Sequence, residues 1–301
     1  MARTEVLTDA TWTRIEPLLP STKPQRGGRW RDHRQVIEAI AWKYRTGSPW
    51  RELPAEYGPW QTAYDRFARW AADGTWQRLL EAVQAEADAS GKLDWLVAVD
   101  STMVRVHQHG ANTSRSTPPG GSDGADEARQ NADHAIGRSR GGLTTKTHLA
   151  VDGLGRPLAI VLTAGNVNAP PQAGGTPTTV LATVLGEIRI ARRGRGRPRT
   201  RPQHVVADKG YRSRANRRLL AARGIAATIP ERADQLANRR ARGSAGGRPY
   251  RFEARTYRQR NVVERAFNRL KQWRGLATRY DKHAHHYRAG LLLASLLLWL
   301  K

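Results

Sequence analysis

The chain has 301 residues, and 51 Lys and Arg stand against 26 Asp and Glu, a formal charge of +25 that runs through most of its length. That charge makes a polyanion the expected partner, nucleic acid ahead of an anionic membrane surface. Cysteine is absent, which excludes disulfides, thiolate zinc sites and cysteine nucleophiles and fits a reducing cytosol. A hydrophobic content of 39% can supply real cores, and the length predicts two domains.

The opening stretch, "MARTEVLTDATWTRIEPLLP", carries charges where a signal peptide needs an apolar core, so a cytoplasmic protein is expected. Thr8 or Asp9 can cap a helix that Pro20 closes. In "RDHRQVIEAIAWKYRTG", Val36, Ile37, Ile40, Ala41 and Tyr44 recur at helical spacing and Gly47 is a stop signal. Two more helices are predicted near 60–72 and 75–88, making 1–90 a small all-α domain of helix-turn-helix type. Trp12, Trp30, Trp42, Trp50, Trp60 and Trp70 fall within it and read mainly as core. Arg26, Arg29, Arg31 and Arg34 surround Gly27 and Gly28; they suit a flexible arm on phosphates or in a minor groove, or else a solvated loop.

Past residue 92 the pattern turns to strands. "LDWLVAVDS" is a short apolar run ending at Asp100, and "LTTKTHLAVDGLGRPLAIVLTAG" is a hairpin around a Gly-rich turn. Between them, 107–142 is polar and Gly-rich and is expected to be a mobile loop. His107 and His109 would share a face if the first strand continued, as metal ligands or as loop positions. A helix is predicted over 176–191, then the basic linker "ARRGRGRPRTRP", a strand in "HVVADK", a helix in "SRANRRLLAARG", a short strand in "IAATIP" and a loose basic segment. The final run, "GLLLASLLLWLK", is too short to span a bilayer, which needs roughly 20 residues; a buried closing helix is expected, and no membrane.

The segment "YRQRNVVERAFNRLK" reads as one helix with a single acid. With Glu264 at zero, Tyr257 falls at about +20°, Lys271 at about −20° and Arg260 at about −40°, one stripe beside the apolar face of Val263, Phe267, Leu270 and Trp273. Glu264 could be a surface acid in an ion pair. It could also meet Asp100 and Asp208, each of which follows an apolar β-type run and would emerge at one edge of a mixed sheet. Three neighbouring carboxylates repel unless cations compensate. An all-oxygen donor set suits Mg²⁺ or Mn²⁺, and two such ions can activate a nucleophile and stabilise the leaving oxygen of a phosphodiester.

With these residues in place, the sequence resembles the DDE transposases of bacterial insertion sequences, of the insertion-sequence-five group, which have a ribonuclease H-like catalytic core. Tyr257, Arg260, Glu264 and Lys271 match that group's spaced motif at every position. "VAVDSTMVRVHQHGA" and "VVADKGYRS" are similar to the segments holding its first and second catalytic Asp. The resemblance implies an α/β, ribonuclease H-like mixed sheet flanked by helices over 91–301, behind a helical DNA-binding domain over 1–90 that recognises terminal repeats. It implies Asp100, Asp208 and Glu264 as catalytic metal ligands for Mg²⁺ or Mn²⁺, two ions in all. Arg260 and Lys271 would grip phosphates with Tyr257 beside them, and Lys209, Arg29 and Arg31 are further candidates for DNA contact. The partners implied are double-stranded DNA, both element ends and target, and a second copy of the chain when assembled on DNA in the bacterial nucleoid. Ala169 stands where members of the group carry Asp after "NVN". That departure leaves a second reading open, a catalytically impaired DNA-binding protein or repressor of its own element.

Overall fold

Thr8 caps the first helix, α1 (Asp9–Ile15), by accepting the Thr11 backbone N–H. Asp32 opens α2 (His33–Thr46), and Gly47 ends it at φ +73°, a left-handed conformation that glycine adopts without a Cβ penalty. Two more helices, α3 (Trp60–Ala72) and α4 (Thr75–Ala89), complete the expected set. None of the six tryptophans between 12 and 70 is exposed. Trp70 is fully buried and Trp12 and Trp50 pack on the core, while Trp30 carries the Arg66 guanidinium 3.8 Å above its ring. The computed structural model describes residues 6–23, 28–111, 134–166 and 179–301.

A seven-stranded mixed sheet follows. Its central strand, β1 (Leu96–Val106), runs antiparallel to β3 (Gly142–Val151), which pairs with β2 (Gly137–Ser139) and with β4 (Pro157–Ala164). On the opposite edge β1 runs parallel to β5 (His204–Ala207), and β6 (Ala226–Thr228) pairs beyond it. A two-residue strand, β7 (Thr278–Arg279), pairs with the tail of β1. The hairpin, the β5 strand and the β6 strand are those predicted.

Several expectations change. Asp100 does not end its strand, because β1 continues to Val106 with Thr102 to Arg105 paired to Thr147 to Thr144 of β3. The polar run "STMVRV" gives little local sign of this; a partner distant in sequence supplies the ladder. Within 107–142, Gln108–Ala111 forms a helical turn, Ala135 and Ile136 are buried, and β2 adds to the sheet, so the described ends of that stretch are built into the fold. Residues 112–133 lie outside the described residues, as does Ala169. The helix predicted over 176–191 is α5 (Val180–Gly186) in its described part. After α6 (Arg214–Ala222), the segment expected to be loose contains α7 (Ala233–Ala241), rich in Ala, Leu, Gln and Arg, all good helix formers.

The helix predicted through 257–271 is interrupted. A short helix Ala254–Arg258 and α8 (Asn261–Lys271) are joined by a tightened turn in which the N–H groups of Arg260, Val262 and Val263 donate three residues back. Val262, Val263, Ala266, Phe267 and Leu270 of α8 are buried, and the helix lies on β1 and β3.

The closing helix α9 (Ala284–Leu300) is buried on nearly all sides and packs against α3, α4 and β4. Buried apolar residues form one continuous cluster from Leu7 to Leu300, so the N-terminal helices and the sheet share a core. Among the described residues no helix is long and apolar enough to cross a membrane.

Candidate active site

The parallel register of β1 and β5 fixes the first two acids. Val99 pairs with Ala207, so Asp100 and Asp208 come one step later on adjacent strands. Beyond that step the two chains diverge. β1 continues, whereas Asp208 caps a 3₁₀ turn, Lys209–Tyr211, by accepting the Gly210 N–H at 2.9 Å.

α8 brings the third acid over the same face of β1. Arg260 Nη1 donates to Asp100 Oδ2 at 2.7 Å and Arg260 Nη2 donates to Glu264 Oε1 at 2.5 Å, so one guanidinium joins the two carboxylates. Lys271 Nζ donates to Thr102 Oγ1 at 2.7 Å, and Thr102 shares the face of Asp100 because strand side chains alternate. The stripe predicted on the helical wheel is therefore assembled from Arg260 onward. Tyr257 precedes the turn; its ring packs near Phe252 at 5.3 Å between centroids, with the Arg260 guanidinium 5.8 Å away. Arg260, placed by sequence on substrate phosphates, here sits on the acids.

Burial raises the Asp100 carboxyl above its ordinary range and the charge of Asp208 pushes the same way, against the Ser101 N–H and Arg260, which favour the anion. For Arg260 burial acts against the charge, but the carboxylate of Asp100, then Tyr257 and Glu264, outweigh it and raise the guanidinium further. The negative charge of Asp100 and Glu264 is thus answered by one cation. Among the described residues no three His, Asp or Glu side chains converge tightly enough to hold a metal ion. The donors themselves fit: three carboxylates, all oxygen, are what Mg²⁺ and Mn²⁺ prefer, and two of them already share one cationic group.

Other predicted residues lie elsewhere. Lys209 is exposed beside Asp208. Arg29 and Arg31 are exposed near the start of α2, with the Arg31 guanidinium against Gly58. Arg34 is committed to the fold, paired with Asp9 at 2.6 Å and donating to the Leu7 carbonyl at 2.9 Å. Arg26 lies outside the described residues. His107 and His109 do not alternate along a strand, since β1 stops at Val106. A helical turn brings their rings to 4.8 Å from each other, and the His107 ring is equally close to Tyr280.

Tyr211 was not singled out in the sequence, although it lies three residues past Asp208. Burial raises its phenol, Ser101 hydrogen-bonds it, and the charges of Asp100 and Asp208 both act on it. Thr102 was missed because its signal, a period of two from Asp100, counts only once the strand is known to continue.

A family model described as a transposase DDE domain matches residues 91–299. The chain belongs to the DDE transposase family. A second model, described as a putative transposase of the IS4/5 family, matches 7–80. The transposase is 34% identical over 154 residues to a putative transposase for insertion sequence element IS402 from Burkholderia cepacia, covering 51% of this chain and 62% of that protein. It is 29% identical over 159 residues to a putative transposase for insertion sequence element IS6501 from Brucella ovis, covering 53% of this chain and all of that protein. An uncharacterised protein, y4sN, of Sinorhizobium fredii is 38% identical over 111 residues, 36% of this chain and 84% of that one. No solved structure matches the chain. Membership makes the mixed sheet a ribonuclease H-like one, and the family uses divalent metal ions and acts on DNA.

Proposed function

We propose that this transposase cuts DNA at the inverted-repeat ends of an insertion sequence and joins the freed 3′-hydroxyl to target DNA, with Asp100, Asp208 and Glu264 as its catalytic carboxylates. The observation that carries this reading is the single guanidinium of Arg260 between Asp100 and Glu264, with Asp208 at the neighbouring register. Divalent ions, two in all, would be held by the three acids and would supply nucleophile activation and leaving-group stabilisation.

The chain's own residues divide the remaining work. Arg260 keeps Asp100 and Glu264 drawn together while no metal is present, so their mutual repulsion does not open the edge of α8. Facing DNA, Arg260 and Lys271 grip phosphates flanking the scissile bond. Tyr257 packs beside Arg260. Tyr211, half-buried beside Asp100 and Asp208, feels the charge of both and closes the floor between them. Residues 1–90, with Arg29 and Arg31 exposed, serve recognition of the end sequence. Lys209 adds a phosphate contact next to Asp208.

Each chain carries one set of three acids and an element has two ends, so two copies assemble on paired ends, at the nucleoid in the bacterial cytoplasm. In the test, Asp100→Ala, Asp208→Ala and Glu264→Ala should each abolish Mg²⁺-dependent cleavage of end DNA, by at least about 10³-fold, while retaining its binding. Full cleavage by any one variant would remove that residue from the site. Plasmid excision with paired ends separates this enzyme from a chain that only represses its own element.

A further inference from the structure

The run "RRGRGRPR", read above only as a basic linker, has a defined shape. Ile190 and Arg199 close it with a pair of backbone hydrogen bonds, each N–H donating to the other's carbonyl at 2.9 and 2.8 Å. Arg199 is pinned at the base: its Nη1 pairs with Asp88 Oδ1 of α4 at 2.6 Å, and its guanidinium lies 4.2 Å over the Trp95 ring. Trp95 Nε1 donates to the same Asp88 oxygen at 2.9 Å. From this anchor residues 191–198 are all exposed, with Ala191, Arg192 and Arg193 beside the end of α4.

Four arginines on the projection, Arg192, Arg193, Arg195 and Arg197, have no hydrogen-bond or ion-pair partner among the described residues. The acids at the end of α4 are taken by other cations, Asp88 by Arg199 and Glu86 by Arg14. Solvated arginines in a loop are common, but two glycines set this loop apart. Gly194 and Gly196 have φ of +100° and +142°, conformations that L side chains rarely adopt. Pro198 restricts Arg197 to extended backbone. Arg195, Gly196, Arg197 and Pro198 therefore form a narrow strip, bare at its centre and flanked by two long cations.

The strip suits one groove. B-DNA's minor groove is about 6 Å wide, and over A·T-rich tracts it narrows further and concentrates negative potential that draws in Arg. A backbone without a Cβ can approach its floor, while the guanine 2-amino group obstructs that approach in G·C pairs. We infer that residues 191–198 are a minor-groove arm for A·T-rich duplex DNA, with Arg195 and Arg197 lying along the groove and Arg192 and Arg193 on the bordering phosphates. The inference rests on the chain holding duplex DNA as proposed above. It also places the contact: the loop leads into the start of β5, whereas Asp208 follows its end, so the arm grips DNA at the opposite end of that strand from the scissile phosphate, at least about 13 Å away.

The test uses the full-length protein and three short duplexes of equal length, all A·T, all G·C and all inosine·cytosine, in competition binding at fixed salt. Inosine lacks the 2-amino group, so its minor groove resembles that of A·T while its major groove resembles that of G·C. The wild type should bind A·T and inosine·cytosine roughly tenfold more tightly than G·C. R195A/R197A should bind all three alike. R192A/R193A, which removes the same charge, should weaken all three equally and keep the preference. Unchanged melting temperatures and circular dichroism of both variants establish that they fold. The inference is overturned by equal binding of the three duplexes, by inosine·cytosine tracking G·C, or by a preference that survives R195A/R197A. Each of these leaves the transposase reading standing. No duplex binding at all would sink both, and the cleavage assay on end DNA then shows which failed first.

Discussion

Arg260 shows how one guanidinium can serve two carboxylates from different elements. It meets two carboxylates, the exposed Glu264 and the part-buried Asp100, and at Asp100 burial and the charge of Asp208 make the anion costly. Replacing the charge at Asp100 by Asn should therefore stabilise the metal-free protein, by roughly 1 kcal/mol or about 2 °C in Tm. Millimolar Mg²⁺ should raise the Tm of the wild type and leave Asp100→Asn nearly unmoved, since only the native site binds the ion. A lower Tm for Asp100→Asn, or an equal Mg²⁺ response, would contradict the assignment.

His148 gives the pH dependence at the same scale. It is buried opposite Ser101 on β3, 3.0 Å from Thr163 Oγ1, and burial, then Lys146, lowers its imidazole to about 4. A depressed histidine stays neutral in the fold while the unfolded chain takes up a proton. Stability is therefore full above pH about 6.5 and falls as pH drops toward 4, by up to about 3 kcal/mol for this residue. His286, also lowered to about 4 by burial, adds to the slope. Denaturant melts between pH 7 and 4 should show a shallower decline for His148→Gln than for the wild type; identical slopes would rule the residue out.

Among the elements, β7 depends on a buried cation. Arg279 is fully buried and donates to the carbonyls of His134, Ala135, Asp281 and Lys282 and to Thr145 Oγ1, tying β7 to β3 and to the stretch before β2. Burial lowers its guanidinium to about 10, yet the charge is retained at neutral pH. Close by, Asp281 accepts from Tyr44 at 3.2 Å and pairs with Lys43 at 3.6 Å, which joins α2 to the same segment. Replacing Arg279 by Ala leaves these acceptors unpaired and should cost on the order of 3–5 kcal/mol in urea unfolding. Lys in its place offers three donors against a planar fork and should restore little. A loss under about 1 kcal/mol would show that water replaces the guanidinium without penalty.

For the whole molecule, the shared core qualifies the division at residue 90. α4, with Leu79, Leu80 and Val83 buried, packs on α9, the last helix of the chain. A fragment of residues 1–90 should therefore show no cooperative thermal transition, because α9 supplies part of the surface its helices bury. A sharp transition in that fragment would mean that its four helices suffice alone. Charge governs assembly at the same scale. Two bodies of formal charge +25 repel at low salt until phosphates neutralise them. Light scattering should show single chains without DNA and two chains on paired ends. A stable dimer in the absence of DNA, lost when α9 is altered in a folded variant, would make that helix an interface.

Local patterns carried much of this protein in its sequence. Helix periodicity, Thr8, Gly47 and the Gly-rich hairpin turn marked elements whose hydrogen bonds close within a few residues. The spacing of Arg260, Glu264 and Lys271, and the apolar runs before Asp100 and Asp208, marked these acids as candidates, and the resemblance to the family grouped them. What waited for the tertiary structure depends on partners distant in the chain. The extension of β1 past Asp100 is paired by β3, and Arg279 is held by carbonyls more than 130 residues away as well as by its neighbours. The turn at Arg260, which brings its guanidinium between two carboxylates, departs from an uninterrupted helical wheel. Periodicity reports which face of an element is apolar; only packing decides where that element bends and which charges then meet.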